Sequence, residues 1–119
     1  MNVINPRQTI QIVNVLRSLG LKTSSKGTKL LNKAIQIAYL SDDEYISMNN
    51  IYEILSNQNP NFNTKQIKNT IAYAIKCRNT DTTEVNFENI FGFECDEYFF
   101  TNKNLIEEIV RIMKIESVC

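Results

Sequence analysis

Between positions 63 and 78 the chain carries Lys65, Gln66, Lys68, Asn69, Tyr73 and Lys76 in a run without a single carboxylate. A Gln or Asn carboxamide can bond both positions that adenine offers on its major-groove edge. Tyrosine can reach a phosphate, and lysines neutralise backbone charge. On one side of a helix, these residue types have the chemistry to read double-stranded DNA, A·T pairs more naturally than G·C. The same polar face would also keep any surface helix in solution, so side-chain types alone leave both uses open. Lys26 adds a basic position elsewhere. At the start of a helix, its ammonium and the free N–H groups could meet a phosphate, and a plain solvent lysine beside Gly27 is the alternative.

Other chemistry is largely excluded. The chain has no histidine, which removes imidazole acid–base work, Ser/His and Cys/His nucleophile pairs and most zinc sites. Gly20, Gly27 and Gly92 are too scattered for a phosphate-cradling loop. Glu107 and Glu108 are neighbours on a helix and point to different sides, so they are no acid–base pair. Glu94, Asp96 and Glu97 lack the spacing of a calcium loop. Cys77, Cys95 and Cys119 form no CxxC pair and are odd in number, which fits reduced thiols in a cytoplasmic protein. No catalytic residue, cofactor or metal ligand is expected, and an enzyme is disfavoured. Tyr98, Phe99 and Phe100 suit a core or an interface better than a base-stacking platform. An exposed ring among them would point to a dimer contact.

Charge is balanced in total and uneven along the chain. Thirteen basic and thirteen acidic residues cancel, yet residues 1–40 hold six bases and no acid, and residues 61–80 hold four bases and no acid. Residues 41–60 carry four acids, and nine of the thirteen acids follow position 80. Such segregation can build a basic face on a neutral protein. Zero net charge argues against strong non-specific binding to DNA, which scales with the phosphates neutralised.

The elements that must position these residues read as helices. The chain of 119 residues is 43% hydrophobic and 22% charged, ordinary for one globular domain with its own core. No apolar run approaches the roughly 20 residues of a membrane span, and no signal-peptide core is expected. Ile10, Val13, Leu16 and Leu19 predict a first helix stopped by Gly20. Ser24 or Ser25 caps a second, with Leu30, Leu31, Ala34, Ile35 and Ala38 inward. Residues 41–44 read as a connection. A third helix starts at Ser47 with Met48, Ile51, Ile54 and Leu55 inward, and it ends in the turn-rich 56–61 stretch around Pro60. Asn63 caps a fourth helix, with Gln66 placed for a capping box and Ile67, Ile71, Ala74 and Ile75 facing the core to about Arg78. Residues 79–83 read as polar linker, 86–91 as a short helix halted at Gly92, and 93–100 as extended. Thr101 or Asn102 caps a last helix with Leu105, Ile106, Ile109, Ile112 and Met113 inward. The expectation is an all-α single domain, residues 1–119, of five or six helices, with a helix-turn-helix at about 47–78.

Several blocks, in order and spacing, carry a family resemblance. They are Leu19-Gly20-Leu21 followed by Lys26-Gly27, Leu31-Asn32-Lys33-Ala34-Ile35, Ile51-Tyr52-Glu53-Ile54, Thr70-Ile71-Ala72-Tyr73-Ala74-Ile75, Ile90-Phe91-Gly92-Phe93, and Thr101-Asn102 before the 105–115 helix. Over about residues 10–115 the chain resembles the C-terminal DNA-binding domain of the sporulation stage 0 protein A response-regulator family of spore-forming bacteria. The resemblance implies six helices, the fourth entering the major groove, usually with two copies on adjacent half-sites. It also shows departures. Where that family places base- and phosphate-contacting arginines and a histidine, this chain has Gln66, Asn69, Ala72 and Tyr73, and the turn ahead of the helix is about two residues shorter. The bidentate arginine that reads guanine is therefore missing, and a different target or no DNA binding follows. The resemblance finds no counterpart of the family's receiver domain, so switching by an attached receiver is not expected.

The sequence thus leads to a cytoplasmic, sequence-specific transcriptional regulator. Gln66, Asn69 and Tyr73 would meet bases, and Lys65, Lys68, Lys76 and Lys26 phosphates. Its partners would be double-stranded DNA and a second copy, without a membrane. The alternative is a protein-interaction module that keeps the fold and binds a regulator or RNA polymerase through the acidic C-terminal third and the 78–82 connection.

Overall fold

Asn5, Ser25, Ser47, Asn63 and Asn79 each place a side-chain oxygen on the backbone N–H three residues ahead. These caps satisfy donors that a helix start otherwise leaves orphaned, and they cut the chain into helices. The computed structural model describes residues 5–41 and 47–118. Its helices are α1 (Pro6–Ser18), α2 (Lys26–Leu40), α3 (Met48–Gln58), α4 (Thr64–Lys76), α5 (Thr80–Phe91) and α6 (Asn102–Val118), with a 3-10 turn at Glu97–Phe99 before α6. Thr101 caps α6, its hydroxyl accepting from the Asn104 N–H at 3.1 Å. No strand occurs among the described residues. Of the 41–44 connection, only Ser41 lies within them.

α2 is the spine of the fold. Its expected stripe, Leu30, Leu31, Ala34, Ile35 and Ala38, is buried throughout. Around it pack α1, α3, α4 and α6. Ile67, Ile71 and Ile75 of α4 and Leu105, Ile106, Ile109 and Met113 of α6 complete the centre of the core. A second apolar centre is aromatic. Phe87 sits 4.8 Å from Phe91 and 4.9 Å from Phe99 between ring centroids. Phe93 and Phe100 join them at 5.3 and 5.7 Å from Phe87.

Four expectations are corrected. In α1, Ile12 and not Ile10 shares the buried stripe with Leu16 and Leu19, and Ile10 faces solvent. In α3, Tyr52 replaces Ile54 on the inner face. Only one member of each stripe is misplaced: Leu16 and Leu19 in the first, and Ile51 and Leu55 in the second, are buried as expected. Residues 80–83 are no linker. They are the first turn of α5, held by the Asn79 cap and by the Thr83 hydroxyl, which donates to the Leu19 carbonyl at 2.5 Å. The 93–100 stretch is not one extended segment either: Phe93, Phe99 and Phe100 pack on the α5 rings about the 3-10 turn, while Tyr98, expected in a core or interface, is 86% exposed.

The axis of α4 is set where it crosses α2 at Gly27. A Cβ there would collide with the Thr70 carbonyl and with Ala74. The absent side chain is what lets the two backbones approach. Gly27→Ala should push α4 away from α2 and cost about 1–3 kcal/mol by overpacking. Urea unfolding of the variant beside the parent chain measures this, and an unchanged midpoint would mean that the contact yields freely.

Candidate nucleic-acid interface

The segment between α3 and α4 is fixed by its own hydrogen bonds. Asn59 returns its side-chain amide to the Leu55 carbonyl at 2.8 Å. The Ser56 hydroxyl donates to the Phe62 carbonyl at 2.6 Å, and the Phe62 N–H donates to Asn59 O at 2.9 Å. Phe62 packs its ring against the core. α4 therefore starts from an ordered turn. At that start the expected capping box is present. Asn63 Oδ1 accepts from the Gln66 N–H at 2.8 Å, and Gln66 Oε1 accepts from the Asn63 N–H at 2.9 Å.

With Ile67, Ile71 and Ile75 buried, the remaining face of α4 forms a ridge. Lys65, Gln66, Lys68, Asn69, Ala72, Tyr73 and Lys76 are all exposed on it. Lys65, Asn69, Tyr73 and Lys76 follow at intervals of four, four and three residues and so line up along one side. None of the α4 lysines forms an ion pair among the described residues. Among the described residues, nothing bonds either end of the Asn69 carboxamide. Gln66 is different, because its oxygen is spent on the cap and only its NH2 remains for a partner. Tyr73 is 68% exposed, and the Cys77 thiol one turn on raises its phenol above the ordinary value. It thus stays a hydroxyl donor at neutral pH.

Two grooves flank the ridge. One, of about 390 Å³, is lined by Lys22, Ser25, Lys26 and Gly27 opposite Thr70, Tyr73, Ala74 and Cys77. Lys26 Nζ lies 4.1 Å from the centroid of the Phe62 ring, a cation–π contact that seats the ammonium beside the turn ahead of α4. The other groove, of about 500 Å³, includes Asn49, Tyr52, Lys68, Ala72, Asn102 and Lys103. Asn102 closes its floor: one amide nitrogen donates to Tyr52 Oη at 3.0 Å and to the Lys68 carbonyl at 3.1 Å. Burial raises the Tyr52 phenol, and the Asn102 bond offsets part of that. Among the described residues, no carboxylate lines either groove.

The structure thus brings all seven expected residues to one ridge and one wall beside it, and it adds Lys22 and Lys103. Those two lie in other segments of the chain, and only the packing of α2 and α6 against α4 reveals them. No protein-family model, curated protein or solved structure matches the chain.

Arg78 does not belong to this surface, although its charge counts among the four bases of residues 61–80. Its side chain is only 6% exposed. The guanidinium stacks 3.7 Å from the Phe100 ring centroid, donates to the Ile75 carbonyl at 3.0 Å and reaches Thr83 Oγ1 at 3.2 Å. Of the 78–82 connection, the Arg78 side chain is buried, residues 80–82 form the first turn of α5, and Asn79, Thr80 and Asp81 are exposed.

Among the described residues, no cluster of His, Cys, Asp or Glu could hold a metal ion, and no helix is long and apolar enough to cross a membrane. Cys77 and Cys95 are exposed free thiols; desolvation raises the Cys95 thiol above its ordinary value, partly offset by the nearby Arg78 charge. Glu107 and Glu108 do diverge, toward Lys103 and Arg111 respectively.

Arg78→Met keeps much of the stem and removes the cation, its hydrogen bonds and the ring stacking. It should cost about 2–3 kcal/mol, and Arg78→Lys should recover little, because an ammonium cannot reproduce the planar fork. Denaturant unfolding of both variants checks this.

Proposed function

We propose that the chain is a sequence-specific DNA-binding transcriptional regulator in which α3, its ordered turn and α4 act as a helix-turn-helix. One observation carries the reading. Among the described residues, α4 is a ridge of lysines without ion pairs and an Asn69 without hydrogen bonds, with lysine-bearing grooves on both sides and no carboxylate in either. A helix in the major groove lies between two sugar–phosphate walls, and this is the charge arrangement such a site needs. The sequence resemblance to the effector domain of the sporulation stage 0 protein A family accords with the reading.

The roles divide by what each side chain has free. Asn69 reads a base, with adenine the natural match for its carboxamide. Gln66 offers only its amide hydrogens, and Tyr73 reaches a phosphate or a thymine-rich edge with its hydroxyl. Lys65 and Lys76 hold phosphates from the ridge. Lys22 and Lys26 hold one strand's backbone, and Lys68 with Lys103 the other. Arginine-type guanine contacts are missing, so the target is A·T-rich. Two copies would occupy adjacent half-sites in the cytoplasm of the cell.

Selection of bound sequences from a random DNA pool tests this, and A·T-rich enrichment is expected. No enrichment at low salt would overturn the reading in favour of a protein-interaction module that keeps the fold. On a selected site, Asn69→Ala should cost about 1–3 kcal/mol and relax one base position, whereas Lys103→Ala should weaken all sequences alike and lower the salt slope by about 1. Fluorescence anisotropy at several salt concentrations separates the two effects.

A further inference from the structure

The groove between α3, α4 and the start of α6 is lined by a buried hydroxyl whose hydrogen has nothing to receive it. Tyr52 is only 6% exposed and bonds Asn102 across the groove. The Asn102 amide nitrogen also donates to the Lys68 carbonyl, so at Tyr52 Oη it is again the donor and the phenol accepts, at 3.0 Å. The phenol's own hydrogen is therefore without an acceptor among the described residues, and burial raises the phenol, which keeps that hydrogen in place at neutral pH. A buried donor left unpaired is costly unless something enters to accept from it. Beside it α6 begins. Thr101 caps the Asn104 N–H, but the N–H groups of Asn102 and Lys103 have no partner among the described residues. Lys68 and Lys103 line the same groove. Lys103 keeps a loose 3.9 Å pair with Glu107, both of them exposed, and such pairs are weak in water.

We propose that this groove is a phosphate clamp, in which Tyr52 Oη and the N–H groups of Asn102 and Lys103 donate to one phosphate while the Lys68 and Lys103 ammoniums balance its charge. The neutral donors matter most. A lysine on its flexible stem can follow a phosphate over several ångströms, whereas a buried hydroxyl and a helix start hold it at one place. A clamp of this kind sets the register of a nucleic acid on the protein without reading its sequence. The opposite groove repeats the set of parts. It has Lys22 and Lys26, the Tyr73 hydroxyl and the start of α2, where Ser25 caps the Thr28 N–H and the N–H groups of Lys26 and Gly27 have no partner among the described residues. Two matched clamps flanking α4 suit the two strands that border a major groove. That the phosphate comes from DNA rests on the function proposed above; the clamp itself does not.

Titration of the chain with inorganic pyrophosphate, followed by the NMR shifts of its backbone amides, tests the clamp without DNA. Saturable shifts at Asn102 and Lys103 are expected. Tyr52→Phe keeps the ring and removes only the hydroxyl; it should weaken that saturation roughly tenfold and leave the Lys26 and Gly27 amides responding as before. Lys103→Ala, at an exposed position, should weaken it as well. On a selected DNA site, Tyr52→Phe should lower affinity roughly tenfold for all sequences alike with the salt slope unchanged, because no charge is lost. Pyrophosphate that saturates the Asn102 and Lys103 amides of a chain that binds no duplex upholds the clamp, assigns it to a free phosphorylated ligand and overturns the DNA reading alone. Shifts at those amides that do not saturate, or a Tyr52→Phe variant that binds pyrophosphate as the parent does, overturn the clamp whatever the duplex shows.

Discussion

One buried guanidinium decides how the second half of this molecule hangs on the first. Arg78 follows the last turn of α4 and is spent on three elements at once: the Ile75 carbonyl, the Thr83 hydroxyl of α5 and the face of Phe100. A cation taken out of water needs such partners, or its desolvation would exceed what its packing returns. Thr83 passes the constraint on, since the same hydroxyl bonds Leu19 O and Asn79 O. Asn79 in turn donates its N–H to Gly20 O at 2.9 Å. The ends of α1 and α4 and the start of α5 thus form a single polar knot beside the phenylalanine cluster. Whatever α4 binds, its C-terminal end cannot swing independently of the rest.

Most of the fold was legible because its signals are local. The α2 stripe repeats over four turns, the Asn63–Gln66 box sits within four residues, and Gly92 ends α5 at φ 81°, where any Cβ would strain the backbone. The errors share a cause. Residues 80–83 are Thr-Asp-Thr-Thr, poor helix formers whose helical state rests on bonds to Ser18, Leu19 and Gly20, some sixty residues away. The aromatic 93–100 stretch likewise looks strand-like by composition and is shaped by rings it meets from α5. Arg78 read as surface charge for the same reason. Its burial depends on Phe100, and no spacing rule links positions 22 residues apart.

The candidate site divides along the same line. All the α4 positions chosen from the helical wheel are exposed, since three buried isoleucines fix the wheel's phase. What the wheel could not separate is capping from recognition at Gln66, because one carboxamide suits both and only the bond to Asn63 N–H shows which half is taken. Lys22 and Lys103 could not be found from the wheel at all. They join the site through helix packing, one by way of the Gly27 crossing and the other by way of Asn102, which ties the start of α6 to Tyr52 and to the α4 backbone.

This geometry also resolves the tension between zero net charge and a nucleic-acid partner. The molecule measures 37 × 33 × 25 Å, whereas charges in physiological salt are screened over about 8 Å. A phosphate entering either α4 groove therefore responds to the lysines lining it far more than to the chain's total. Among the described residues, the acids of α5 and of the 93–97 segment, with Glu53, Glu107 and Glu108, all lie outside those grooves. Such a division gives a local attractive field without the long-range pull of a strongly basic protein. Few phosphates are then neutralised per molecule, and the share of binding that comes from charge alone stays small. On the proposed reading, discrimination would rest on the few uncommitted polar side chains of the ridge, and a second copy bound alongside would multiply it.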